Sequence, residues 1–241
     1  MPGWAAELGM RARKNAVLAI VGTTLFNALF FIGYFYVQRH PPHAPITIAV
    51  TSLDQLISYQ PRFFAAYVSL WVYVGAGPGL QRSSSEVAAY ALWMAAMCVT
   101  GLGIFHFWPT QVPPLSHGAA GGSGLTLLQH LDQTGNACPS MHVATATFTL
   151  VRVDEVLRTI RTPRLLRLFN SAWFALIVYS TLAIKQHMAL DVASGALLGA
   201  LFVLPSLHWR GESELGYISL TARKERGVQV ARLVEREGLE P

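Results

Sequence analysis

The chain is 241 residues long, 52% hydrophobic and only 13% charged, with a formal net charge of +5. An ordinary soluble domain carries roughly 45–50% apolar and about 25% charged residues, so the composition excludes a soluble domain and points to a membrane protein. The basic excess does not point to nucleic acid, because the arginines fall in short segments between apolar runs with no aromatic-basic surface or binding motif beside them.

A transmembrane helix needs about 20 mainly apolar residues, and six runs approach that length. The first, Ala16 to Val37, follows Arg11, Arg13 and Lys14. It is longer than a signal-peptide core of about 7–15 residues and no small-residue cleavage site follows it, so it reads as a retained helix. Ile46 to Pro61, with Leu53, Leu56 and Ile57 beside Asp54 and Gln55, fits either a short interfacial helix or a plain connecting loop. Phe63 to Leu80 and Val87 to Phe107 are the next two spans. The stretch from Trp108 to Ala137, interrupted by prolines and glycines, reads as a non-helical loop expected to fold over the site. The run from His142 to about Leu157 is the weakest span: Arg152, Asp154 and Glu155 enter before it is complete, so its end must be wet or paired. Phe169 to Ile184 and Leu190 to Leu207 complete the set.

The expected fold is all-α: a bundle of six transmembrane helices over residues 1–210 with short outer loops, then a polar tail, 211–241, that is either a short cytoplasmic helix or disordered. Six crossings place both termini on one side. Arg11, Arg13, Lys14, Arg82, Arg158, Arg161, Arg164, Arg167 and Arg210 share that side, against Arg39, Arg62 and Lys185 on the other, so the termini are expected to be cytoplasmic. A bacterial cytoplasmic membrane is the expected location. Cys98 in the third helix and Cys138 in an outer loop are not placed to form a disulfide, and two thiols do not make a metal framework.

Two short elements carry the chemistry: Pro139-Ser140-Met141-His142, and His187-Met188-Ala189-Leu190-Asp191. Each opens an apolar run on the same, extracytoplasmic rim. The first-turn N–H groups of a helix lack intrahelical partners and bind anions; Ser140 can cap that turn or give its hydroxyl to a phosphate oxygen. His142 stands at the mouth of the same helix, placed to protonate a leaving oxygen, although a lone interfacial histidine is more often simply amphipathic. His187 and Asp191 are four apart, which lets the carboxylate accept from one ring nitrogen and leaves the other as a nucleophile. The competing reading of Asp191 is a helix-start carboxylate favoured by the dipole.

These motifs resemble those of the type 2 phosphatidic acid phosphatase and vanadium haloperoxidase superfamily, in particular its six-helix integral-membrane branch. That pattern has Pro-Ser-x-His in one block and Ser-Arg, five residues, His, three residues and Asp in another; here Ser180, Thr181, His187 and Asp191 stand at the latter places, and the arginine is absent. A further departure is Gln111-Val112-Pro113-Pro114-Leu115, where the family's first motif supplies a lysine and an arginine. Ser180-Thr181, Lys185-Gln186-His187, Asn136 to Ala144 and Trp108-Pro109-Thr110 look more like the subgroup related to inositol phosphorylceramide synthase. The resemblance covers about residues 50–205.

The resemblance implies a lipid phosphatase or phosphotransferase with His187 attacking phosphorus, Asp191 orienting it and His142 protonating the departing oxygen. Ser140 and Lys185 would bind phosphate, Lys185 replacing the missing cations unless it is an interfacial snorkelling residue; His117 and Arg62 are more distant substitutes. The implied partners are a lipid phosphate substrate and membrane lipids, with no nucleic acid, no metal and no cofactor; the sequence carries no signal for oligomeric state. A headgroup transferase uses the same residues with an alcohol in place of water, and a catalytically degenerate membrane scaffold is the reading from a different class.

Overall fold

The computed structural model describes residues 3–114 and 135–208. Among the described residues, eight helices and two very short strands follow one another: α1 (Trp4–Arg39), β1 (Ile46–Thr47), α2 (Ser52–Leu56), a 3-10 turn (Pro61–Phe63), α3 (Phe64–Val68), α4 (Leu70–Gly79), α5 (Ser84–Phe107), β2 (Thr110–Gln111), α6 (Met141–Thr159) and α7 (Arg164–Ala183), then α8 (Ala189–His208). The architecture is mostly helical, as the composition implies. Among the described residues, four helices are long and apolar enough to cross a membrane: α1, α5, α7 and α8.

The chain through Val203 forms one compact unit that holds every site residue described below. The second unit, Leu204–Pro241, contributes among its described residues the last turn of α8, where the His208 ring hydrogen-bonds the Leu204 carbonyl. The expected tail, 211–241, and the middle of the expected loop, 115–134, with His117 and His130, lie outside the described residues.

Two boundaries differ from those expected, and in a third stretch one of the two open readings, the short helix, is present. The first helix begins twelve residues early, because Arg11, Arg13 and Lys14 are helical rather than flanking. Arg11 is buried and paired with Glu7 one turn away at 2.8 Å, and Asn15 donates to the Gln81 carbonyl at 2.6 Å. The run Phe63 to Leu80 is not one helix; it divides at Ser69, whose hydroxyl bonds back to the Ala66 carbonyl. Ile46 to Pro61 is a strand followed by a single helical turn, α2, closed by a capping box in which Thr51 and Asp54 satisfy each other's backbone N–H groups.

Apolar side chains cover the outside as well as the inside. Val17, Ile20, Leu25, Leu29, Ile32 and Tyr36 of α1 are exposed, the inverse of a soluble bundle and the arrangement a hydrocarbon solvent demands. The core is made by Tyr34, Leu70, Tyr73, Tyr90, Met97, Phe105, Phe148 and Ile177 from the facing helices. Without a hydrophobic drive between helices in lipid, close contact depends on small residues. Gly195 and Gly199 of α8 supply it: a Cβ on Gly195 would fall 2.3 Å from the Ser140 carbonyl, and one on Gly199 2.6 Å from that of Ala144.

Polar groups collect at two ends. Arg152, fully buried, donates to Gln81 at 3.1 Å near the far end of α6, and this pairing answers the expectation that charge late in that run must be satisfied. At the opposite end, β1 pairs in parallel with β2, Ile46 beside Thr110 and Thr47 beside Gln111, and Gln111 also bridges to Gly135. That small sheet tethers the segments leading into α2 and α6.

Candidate active site

The two histidine motifs meet at the sheet-bearing end. Ser140 starts α6 as its N-cap, its hydroxyl accepting from the Val143 N–H at 3.3 Å. Its own N–H donates to the Asp191 carbonyl at 2.9 Å, and Cys138 lies 3.2 Å from Ser194. The backbones of the two motifs are therefore stapled together before any side chain is considered. Ser140 is fully buried, which makes it the group that registers α6 against α8.

His187 sits on the turn between α7 and α8. Its Nδ1 lies 2.8 Å from Asp191 Oδ2, and Asp191 Oδ1 accepts from the Met188 N–H at 2.6 Å. A carboxylate only accepts, so Nδ1 carries the proton and Nε2 presents its lone pair. Asp191 is fully buried while the His187 side chain keeps 12% exposure: the carboxylate is sealed and the imidazole partly exposed.

His142 faces it, with ring centroids 6.4 Å apart. Its ring stacks on Tyr67 at 3.9 Å with the planes 9° apart, and Nε2 lies 3.1 Å from the Tyr67 carbonyl. A carbonyl is an acceptor, so Nε2 carries hydrogen and Nδ1 is the nitrogen left for proton exchange. The division of the second run now has a use, since Tyr67 sits beside the break at Ser69 that separates α3 from α4.

Both rings open into one cavity of about 350 Å³. Its walls are mostly apolar: Phe26, Phe30, Phe31 and Phe35 from α1 and Leu70, Trp71 and Val74 from α4, with Asn27, Asn136 and Thr145 as polar members.

A family model described as the PAP2 superfamily matches residues 62–205. The chain belongs to the PAP2 superfamily. Comparison with curated proteins and with solved structures gives no match. PAP2 members are generally phosphatases or phosphotransferases, and the apolar helices agree with an integral-membrane member of the family.

The PAP2 motif positions are only partly filled with charge. Thr181, standing where the pattern has arginine, is buried; its hydroxyl bonds the Val178 carbonyl and its own carbonyl accepts from Gln186 and His187 N–H groups at 3.2 and 3.3 Å. It shapes the turn instead of meeting an anion. Lys185 lies on that same turn, half-buried, with Nζ 2.6 Å from the Asp54 carbonyl. Burial pulls its ammonium below the ordinary lysine value, and the Asp54 charge partly restores it. Of the more distant substitutes, Arg62 bonds Gln60 at 2.6 Å.

Asp54 and Tyr67 were not singled out from the sequence as site residues. Asp54 had a signal, the Thr51-Ser-Leu-Asp54 spacing of a capping box. Tyr67 had none, because only the tertiary fold brings its carbonyl to an imidazole 75 positions away.

Proposed function

We propose that the chain is a membrane lipid phosphatase or phosphotransferase that cleaves a phosphoester or diphosphate through a phosphohistidine on His187. The observation that carries this reading is the open His187, oriented by Asp191, facing His142 at the mouth of an apolar cavity. His187 Nε2 attacks phosphorus as the bond to the leaving oxygen breaks, and protonated His142 gives that oxygen its proton. Water then attacks the phosphohistidine, His142 takes the proton back, and inorganic phosphate leaves. Phosphoryl transfer asks for positioning and neutralisation of spread charge; Lys185, Ser140 and the first-turn N–H groups of α6 are the candidates for that work. No step calls on a metal or cofactor.

In this reading the bundle crosses the membrane six times, with α3–α4 and α6 as the two additional passes. The alternation supports it: Asn15 of α1 meets Gln81 after α4 at one end, and Tyr67 of α3 meets His142 of α6 at the other. Arg82, Arg158, Arg161, Arg164 and Arg167 lie away from the histidines, which favours an extracytoplasmic site and cytoplasmic termini. A lipid headgroup would reach the histidines at the interface while its chain enters the cavity.

The absence of the pattern's arginine at Thr181 favours the subgroup resembling inositol phosphorylceramide synthase, and with it headgroup transfer as the second reading. Purified protein in nanodiscs should release phosphate from phosphatidic acid or a polyprenyl diphosphate, and His187→Ala should abolish release. Equal inertness of both proteins across such lipids would favour a degenerate scaffold. Labelled phospholipid with inositol or diacylglycerol divides the enzymes: an exchanged headgroup marks a transferase, phosphate alone a hydrolase.

A further inference from the structure

The turn that carries His187 is held from outside by one residue on a different element. Asp54 of α2 is 4% exposed. Its Oδ1 accepts from the Ala189 N–H at 2.8 Å, and its backbone carbonyl accepts from Lys185 Nζ at 2.6 Å. Lys185 is two residues before His187 and Ala189 two residues after it, so Asp54 holds the turn on both sides of the nucleophile. We propose that Asp54 is a positioning residue for His187, fixing the direction in which Nε2 points through its grip on Lys185 and Ala189.

The local chemistry is arranged for that task. Ala189 is the first residue of α8, and its N–H has no acceptor within its own helix; the Asp54 carboxylate supplies one from 135 positions away. The other oxygen, Oδ2, takes the N–H and hydroxyl of Thr51 at 2.8 and 2.7 Å, which locks the side chain in place. Lys185 holds a left-handed backbone conformation, φ 57°, a region that favours glycine. A lysine at that place gains the contact its side chain makes with Asp54.

Position matters here because an in-line attack loses about a hundredfold when a reacting atom is misplaced by 1 Å. Asp191 sets the tautomer and one rotation of the ring, but it lies on the same turn and moves with it. Asp54 belongs to a segment anchored independently, through Ile46–Thr47 and their pairing with Thr110–Gln111. It therefore ties the nucleophile's turn to an element outside α7 and α8.

The inference rests on the phosphohistidine reading of His187, and its test separates the two. The full chain is placed in nanodiscs as wild type, Asp54→Ala, Asp54→Asn and, as a control on the exposed face of α2, Gln55→Ala. With phosphatidic acid as substrate, Asp54→Ala should lower kcat about a hundredfold with KM within about twofold. Asp54→Asn, which keeps an oxygen for the Ala189 N–H, should recover most of that loss, and Gln55→Ala should behave as wild type. Independently of turnover, the His187 Nδ1–H resonance, assigned by its absence in His187→Asn, should exchange with solvent about tenfold faster in Asp54→Ala. Folded Asp54→Ala with an unchanged imidazole exchange rate overturns the proposal, whether or not any lipid is hydrolysed. Faster exchange in a chain inert toward every lipid upholds the positioning role and overturns only the phosphatase reading.

Discussion

Asp191 spends both carboxylate oxygens on donors, one from the His187 ring and one from the Met188 backbone. An amide at that place has only one acceptor oxygen, so Asp191→Asn must turn an N–H toward the ring or toward the peptide. With the N–H toward the ring, Nδ1 must accept and the proton moves to Nε2; with it toward the peptide, the tautomer is kept but the Met188 N–H loses its acceptor and the turn shifts. The first outcome predicts a fall in kcat on the order of 10⁴-fold, as when a buried orienting aspartate is made neutral beside a catalytic histidine. A phosphate-release assay with wild-type protein expression as reference checks it; a loss below about tenfold would leave Asp191 as a helix-start carboxylate. Asp54 supplies the pH prediction at the same scale. Burial pushes its pKa up, but the Thr51 and Ala189 hydrogen bonds and the Lys185 charge outweigh it and hold the carboxyl below its ordinary value of 3.8. A depressed carboxyl stabilises the fold above its unfolded value, and that stability is lost as pH falls through the lower folded value. Thermal unfolding followed from pH 6 downward should show the wild type converging on Asp54→Asn below about pH 4, with the difference fully present at neutral pH.

At the scale of elements, the register of α6 against α8 decides where His142 stands. Gly195 lies against the Ser140 carbonyl, two residues from that histidine, so Gly195→Ala must push the start of α6 away from the His187 turn. Overpacking of this kind costs about 1–3 kcal/mol, and the expected signature is a drop in kcat larger than the drop in Tm would suggest. Gly103 of α5 has nothing within 4 Å of a Cβ, so Gly103→Ala should leave activity intact and raise stability by up to about 1 kcal/mol. Activity and unfolding temperature of the two variants in one detergent make the comparison. The four-residue spacing from Gly195 to Gly199 is visible in the chain, but the helix it meets is a tertiary fact, and this marks the general boundary of what could be read. Apolar length located α5, α7 and α8 because hydrocarbon imposes a length on its helices whatever they pack against. The i, i+4 spacing of His187 and Asp191 foretold their bond because the turn between them is local. The break at Ser69, the stacking of Tyr67 on His142 and the reach of Asp54 to Ala189 depend on segments far apart in sequence, and no periodicity encodes them.

For the molecule as a whole, the proposed lipid substrate makes a prediction about the cavity, whose apolar walls would receive its hydrocarbon chain. Phe26 and Tyr34 both line it, and at a rise of 1.5 Å per residue the eight positions between them span about 12 Å along α1. The histidines lie at the Tyr34 end, close to Tyr67, while Val74 and Phe26 lie farther along α4 and α1. A chain attached to the phosphate at the histidines would then extend between two helices rather than lie wholly in bulk lipid. Each methylene buried is worth about 0.8 kcal/mol, and about 1.4 kcal/mol is a tenfold change in affinity. Val74→Phe adds bulk to the wall away from the histidines, and excluding roughly two methylenes should raise KM about tenfold for a long-chain lipid phosphate. A six-carbon analogue too short to reach Val74 should keep its KM, and kcat should hold for both because the histidines are untouched. Steady-state kinetics on the two substrates decide the matter: a KM for the long-chain lipid that rises no more than that of the short analogue, whether both stay unchanged or rise together, would overturn the placement of the chain in the cavity.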